Sequence, residues 1–215
     1  MNIFIMGAPG SGKGTFSSKI KDAYNLNHIS TGDIFRENIA NNTELGQAAK
    51  AYSEKGLLVP DEITNKMVFD YLKNLEDPKN GYLLDGYPRT LDQAKAFEEM
   101  TKGTDMAVDT ILAMDVPFDV LTRRITGRRS CKKCGAIYNI YTTPPAEDGY
   151  CDVCHSELTQ RKDDNEESLK TRLNEYSGNT EPVLDYYDAQ GIVRHVDADR
   201  PIEAIWESVQ DVLGR

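Results

Sequence analysis

Short apolar runs and polar, helix-compatible stretches alternate along this chain. Five apolar segments read as strands: Asn2–Met6, Asn27–Ile29, Tyr82–Leu84, Thr110–Val116 and Ile192–Val196. The stretch from Thr15 to Tyr24, after the first of them, reads as a helix. Such alternation predicts a parallel sheet with helices on both faces. Ligands then bind beyond the C-terminal ends of the strands. The residues that follow those ends suit this. The first strand leads into Gly7, the second into Ser30-Thr31-Gly32-Asp33, and the third into Asp85-Gly86-Tyr87-Pro88-Arg89.

Two stretches break the alternation. Residues 30–59 hold no convincing strand and read as short helices, with turns at Asn41-Asn42 and Gly56. Residues 127–164 hold all four cysteines, paired prolines and Gly149, and are rich in Tyr, Thr and Ile. They suggest a small β-rich insert. Both stretches read as lobes on one core made of 1–29, 60–126 and 165–215. No internal repeat or low-complexity tract is visible.

Composition narrows the class. At 215 residues the chain can bury a real core. Charged residues make up 28% and hydrophobic ones 39%, which fits a soluble globular protein. No apolar run is long enough for a transmembrane helix. No basic n-region precedes an apolar stretch, so no signal peptide is expected and the cytoplasm is the default. The net charge of −10 argues against a nucleic-acid-binding surface over the whole chain. An acidic chain that gathers its arginines in motifs suits polyphosphate ligands better than long polyanions.

The first strand opens into Gly7-Ala8-Pro9-Gly10-Ser11-Gly12-Lys13-Gly14-Thr15. Strand, glycine-rich turn, lysine and helix make the context of a phosphate-binding P-loop. The glycines let several N–H groups point at one anion. The helix N-terminus adds a positive end, and Lys13 adds a full charge at the β/γ-phosphates. A surface loop is the competing reading, and the complete glycine spacing speaks against it. The usual Ser or Thr directly after the lysine, a Mg²⁺ ligand, is replaced here by Gly14, with Thr15 following.

The run GxPGxGKGT resembles the nucleoside monophosphate kinases, and the adenylate kinases in particular. Further blocks follow in order: Ser30–Asp33 with Arg36, Gly56–Asp61, Leu84–Thr90 with Gln93, Arg124–Arg129, Arg161–Asn165 and Arg172-Leu173. Together they resemble a long-form bacterial adenylate kinase with a metal-bearing lid. The fold this implies is α/β: a P-loop NTPase-type parallel five-stranded sheet with helices on both faces, a helical NMP-binding insert and a small β-rich zinc lid. The activity it implies is reversible, Mg-dependent phosphoryl transfer, ATP + AMP = 2 ADP, by a monomer.

The resemblance also implies residue roles. Thr31, Arg36, Leu57, Leu58, Val59, Gly86, Tyr87, Pro88, Arg89 and Gln93 would form the AMP site, with Arg161 and Arg172 reaching in from the lid side. Gly10, Ser11, Gly12, Lys13, Gly14, Thr15, Arg124, Arg128, Ile137, Tyr138 and the backbone near Arg200 would hold ATP. Lys13, Arg89, Arg124, Arg128, Arg161 and Arg172 would be the catalytic cations. Such a set is chemically sensible, because phosphoryl transfer needs positioning and charge neutralisation more than covalent help. A side-chain amide such as that of Gln93 can pair with an adenine edge, and arginines can fork onto a phosphate. Asp85, at a strand end, is the carboxylate expected to anchor Mg²⁺ through water. Water must be excluded or ATP would be hydrolysed, which gives a reason for two mobile lobes.

Plainer readings stand beside these. A lone arginine is usually a solvated charge, and Arg123 and Arg129 keep that reading. Asp163 and Asp164 are either helix N-terminal charges before Glu166 or lid contacts. Tyr87 stands where the family more often has Phe, so a role for its ring is open. His28 and His195 are expected to be structural.

Cys131-Lys132-Lys133-Cys134 and Cys151-Asp152-Val153-Cys154 are two C-x₂-C pairs separated by sixteen residues. That is a two-knuckle zinc spacing. Four thiolates give a closed tetrahedral site, hence a structural one, able to staple a lobe with little core. Disulfides or inert thiols are the alternatives, and iron could take the same ligands. His155 is expected to be a bystander. A zinc ribbon that binds nucleic acid under ATP control is the competing function. The lid segment carries Glu147, Asp148, Asp152, Glu157, Asp163 and Asp164, which leaves no basic stripe for it.

Overall fold

The computed structural model describes residues 1–75 and 77–214. Strand β1 (Asn2–Met6) is buried at every position, as a central strand covered on both sides must be. It lies between β3 (Tyr82–Asp85) and β4 (Thr110–Asp115). The edges are β2 (Asn27–Ser30) and β8 (Val193–Asp197), giving the order β2-β3-β1-β4-β8. All four pairings are parallel. The five expected strands are therefore the sheet, with ends moved by at most one residue.

Side-chain alternation along each strand supplies two cores. Phe4, Ile29, Leu84, Ile111 and Val193 face one side, with α4 (Asp61–Lys73), α5 (Leu91–Thr101) and α8 (Glu181–Asp188) covering them through residues such as Val68, Phe97 and Tyr187. Ile3, Ile5, Leu83, Leu112 and Val196 face the other side. There α1 (Lys13–Tyr24) adds Phe16 and Ile20, and α9 (Ile202–Leu213) adds Ile205 and Val209. Between them the strands expose almost no apolar surface, which is the main stabilising term of such a layered fold.

Residues 30–59 form α2 (Thr31–Ala40) and α3 (Glu44–Ser53). Each starts where a hydroxyl can satisfy an orphan amide: Ser30 Oγ accepts from Asp33 N–H, and Thr43 Oγ1 from Gly46 N–H at 3.1 Å. The two helices nearly touch at Gly46, where a Cβ would sit 2.1 Å from the Asn38 carbonyl oxygen. After α6 (Phe118–Thr126) comes a three-stranded antiparallel sheet, β6 (Ile137–Asn139), β5 (Arg128–Cys131) and β7 (Leu158–Thr159) in that order. Helix α7 (Glu166–Glu175) then returns the chain to the core, capped by Asn165 on Ser168 N–H at 2.9 Å. No helix among the described residues is long and apolar enough to cross a membrane.

Candidate active site

The loop between β1 and α1 curls because Gly10 and Gly12 take φ of 88° and 93°, a region that favours glycine. Lys13 is the first residue of α1, and its ammonium folds back into the loop. It donates to the carbonyls of Gly7 at 2.6 Å and Ala8 at 2.9 Å. Burial is the main reason its pKa falls to about 7; Asp85 opposes the fall, while Arg89, Arg172 and Arg128 add to it. A group so placed is stabilised by any anion that enters. Gly14 is exposed, and Ile137 of β6 comes 3.5 Å from where a Cβ on Gly14 would sit. Ser11 is buried and Thr15 half-buried.

Asp85 ends β3 beside Ser30 of β2. Ser17, one turn beyond Lys13 on the inner face of α1, donates its hydroxyl to Asp85 Oδ2 at 3.3 Å. Ser17 was not singled out in the sequence, although its i+4 spacing from Lys13 was the signal. Thr31 is buried and donates to the Gly86 carbonyl at 2.9 Å. Arg89 donates from Nε to the same carbonyl at 2.8 Å.

Two adjoining clefts meet here, about 590 and 660 Å³ out to open solvent. The first is lined by Gly7, Pro9, Lys13, Pro88 and Tyr176, the second by Thr31, Arg36, Leu57, Val59 and Gln93. Leu58, Gly86, Arg89 and Arg172 line both. The residues expected at the monophosphate site are thus brought together around one opening, except Arg161, which is in neither lining. Tyr87 also borders the first cleft, but its ring is fully buried. It packs against Phe97 and bonds Asn65 Oδ1 at 2.8 Å, so the ring serves the core.

Gln93 is buried at the second cleft, and part of its amide is already used. Its Oε1 accepts the Arg89 N–H and its Nε2 donates to Asp61 Oδ1, each at 2.7 Å. One hydrogen and one lone pair remain for a ligand. Asp61, which also accepts from Thr90 Oγ1, closes the Gly56–Asp61 block but carries no role in the sequence reading, because nothing in its local pattern points to a partner thirty-two residues away.

Four further arginines are held by carboxylates. Arg128 grips Asp164 through two nitrogens, and Arg172 donates to Asp163 Oδ2 at 2.9 Å. Asp163 and Asp164 are therefore lid-root partners and not simply helix N-terminal charges. Arg36 pairs with Asp33, and Arg124 with Asp199 and the Ala198 carbonyl. Burial first, and then neighbouring arginines, lower Arg161 and Arg172 to about 10, although Asp163 raises Arg172. Both stay charged at neutral pH. Arg200 lies apart: its guanidinium reaches Ser208 Oγ on α9. The residues just before it meet the arginine set, through the Ala198 carbonyl and the Asp199 carboxylate on Arg124.

In the lid, the sulfurs of Cys131, Cys134, Cys151 and Cys154 all lie within 4.8 Å of one another. The pairs Cys131–Cys154 and Cys134–Cys151 are 3.4 and 3.5 Å apart, far beyond a disulfide bond. A tetrahedral thiolate site with metal–sulfur bonds of about 2.3 Å has sulfurs about 3.8 Å apart, so the donors fit a closed four-coordinate metal. The two knuckles share one backbone pattern. Gly135 N–H bonds the Cys131 carbonyl, and His155 N–H the Cys151 carbonyl. His155 thus occupies Gly135's place, with positive φ of 53°, while its exposed ring stacks on Tyr150 and stays off the sulfurs. The hydrogen bond from Tyr138, ahead of those from backbone amides, lowers Cys151 to about 6.

The family model described as adenylate kinase matches residues 5–192. The chain belongs to the adenylate kinase family. It is 47% identical over 214 residues to an adenylate kinase of Clostridium perfringens, covering all of this chain and 99% of that protein. Adenylate kinases of Clostridium acetobutylicum and Clostridioides difficile are 46% and 45% identical, with the same coverage.

Proposed function

We infer that the protein catalyses ATP + AMP = 2 ADP as a nucleoside monophosphate kinase. The observation that carries this reading is the shared wall of the two clefts: Arg89 and Arg172 border both, with Lys13 on one side and Arg36 on the other. Two phosphate groups entering from opposite sides would meet there.

The chemistry follows from that placement. Lys13 and the P-loop amides hold the β- and γ-phosphates, and Arg124 and Arg128 grip the ATP from the lid side. Arg36 and Arg89 hold the AMP phosphate while Gln93 offers its remaining donor and acceptor to the adenine edge. Arg161 and Arg172 spread charge over the transferring phosphoryl, where it lowers the barrier most. Asp85, supported by Ser17, anchors the water shell of Mg²⁺; when bound, that ion neutralises phosphate charge. Residues 30–59 and 127–164 act as the two lobes that shut out water, on a core of 1–29, 60–126 and 165–215. Lys162 of the lid already lies 3.8 Å from Glu54 of the insert. Zinc in the four-cysteine site is structural, since four thiolates leave no position open for chemistry. The enzyme acts as a cytoplasmic monomer whose partners are ATP, AMP and ADP, with no nucleic acid or membrane.

A coupled assay offering ATP with each nucleoside monophosphate in turn tests the reading. Formation of ADP from AMP with Mg²⁺, in both directions, is expected. Acceptance of another monophosphate in preference to AMP would overturn the AMP assignment.

A further inference from the structure

Three consecutive residues of β6 engage three different parts of the molecule. Ile137 lies over Gly14 of the phosphate loop. Asn139 donates to the Arg124 carbonyl at 3.0 Å, at the C-terminal end of α6. Tyr138, between them, turns its ring into the lid interior beside Cys131, Cys151 and Leu158. The nucleotide-site role expected for Tyr138 can then come only from its backbone, because its side chain points at the cysteines.

The hydroxyl of Tyr138 has a defined polarity. Its oxygen accepts the Asp152 N–H at 2.9 Å, which leaves its one proton to be donated elsewhere. Cys151 Sγ lies 3.5 Å away, a contact distance for the larger sulfur atom. A metal-bound Cys151 is a thiolate with no proton of its own, so it can only accept. The O–H therefore points to the sulfur, and the same tyrosine fastens the backbone of the second knuckle at Asp152.

We propose that Tyr138 is a positioning residue of the metal centre, donating its hydroxyl to the Cys151 thiolate and so tying the strand over the P-loop to the metal. Groups that hydrogen-bond metal ligands orient them and spread their charge, and losing one typically lowers metal affinity by about tenfold or more. Because Ile137 and Tyr138 are adjacent on one strand, an ordered metal centre also fixes what lies over Gly14. This inference rests on the four-cysteine metal reading.

The test uses the full-length protein loaded with zinc, and in parallel with cobalt(II). Zinc affinity is measured by competition with a chromophoric chelator, for wild type, Tyr138→Phe and Tyr141→Phe. Tyr141 is an exposed lid tyrosine under the Arg123 guanidinium and serves as control. Tyr138→Phe is expected to bind zinc about tenfold or more weakly, and Tyr141→Phe like wild type. The sulfur-to-cobalt charge-transfer band is expected to move to lower energy in Tyr138→Phe alone, because an unbonded thiolate is a better electron donor. An unchanged affinity, or an unmoved band, would overturn the role of Tyr138. Wild-type protein that takes up neither metal would instead overturn the metal site itself. Should the lost oxygen unfold the lid, 4-fluorophenylalanine at 138 keeps a para atom without a donor and repeats both readouts.

Discussion

Arg128 and Asp164 clasp each other across the root of the lid. Arg128 Nε meets Asp164 Oδ2 at 2.9 Å, and a second guanidinium nitrogen meets Oδ1. The Asp164 side chain is fully buried and that of Arg128 is 15% exposed. Arg128 begins the lid sheet, and Asp164 lies just before the cap of α7. One forked pair therefore joins the two strands of chain on which the lid hangs, and it holds a phosphate-site arginine in a set orientation.

Asp164→Asn is expected to destabilise the protein by about 3 kcal/mol, since it leaves a largely buried guanidinium without its counter-charge. Urea denaturation checks this. An unchanged midpoint would show that the clasp contributes nothing to the fold.

Lys13→Ala is expected to lower kcat/KM by a factor of one hundred or more, corresponding to about 3 kcal/mol of lost transition-state stabilisation. Circular dichroism should match wild type. Near-normal turnover by the folded variant would remove the P-loop from the mechanism.

Lys13 also predicts a proton effect. In the free protein its ammonium titrates near 7 because it is buried. A polyphosphate placed on it favours the charged form and raises that value. Nucleotide binding at pH 8 is therefore expected to take up a proton, seen as a binding enthalpy that varies with the ionisation heat of the buffer. The depressed value also has a sign for stability. The burden of a buried charge is full below pH 7 and is relieved as pH climbs from 7 toward the ordinary lysine value of 10.5. Buffer-independent enthalpies in wild type would contradict this environment for Lys13.

Gln93→Ala is expected to raise the KM for AMP and relax the choice of base, with less effect on ATP. It also strips a partner from Asp61 and from the Arg89 N–H, so a stability loss of about 1 kcal/mol or more accompanies it. Retained preference for AMP over other monophosphates would mean that Gln93 only supports the Arg89 loop.

Purified protein is expected to carry one zinc per chain. Cys154→Ser should depress the melting temperature while activity survives in the cold, because metal binding here is folding energy for a small lobe. Its apolar core among described residues is little more than Cys131, Cys151 and Leu158. Elemental analysis without stoichiometric metal would defeat the site. Unchanged melting with abolished turnover in metal-free protein would defeat its structural role.

The sequence by itself determined the sheet, the P-loop and the cysteine knuckles. Their signals are local. A strand such as Asn2–Met6 is apolar at almost every position because both faces are covered, the loop glycines are required by backbone geometry, and a C-x₂-C pair closes through one turn. Only the tertiary structure decided how the charged and polar side chains are shared out. Asp61 meets Gln93, Asp164 meets Arg128, Asp199 meets Arg124 and Tyr138 meets Cys151 across 13 to 75 residues of chain. No periodicity marks such pairs, since a hydrogen bond depends on atoms brought within about 3 Å by packing elsewhere. For the same reason Tyr138 reads as a nucleotide residue in the sequence, while its hydroxyl ends on a cysteine. The alternation of β6 decides which way that ring points, and the second knuckle is what waits on that side.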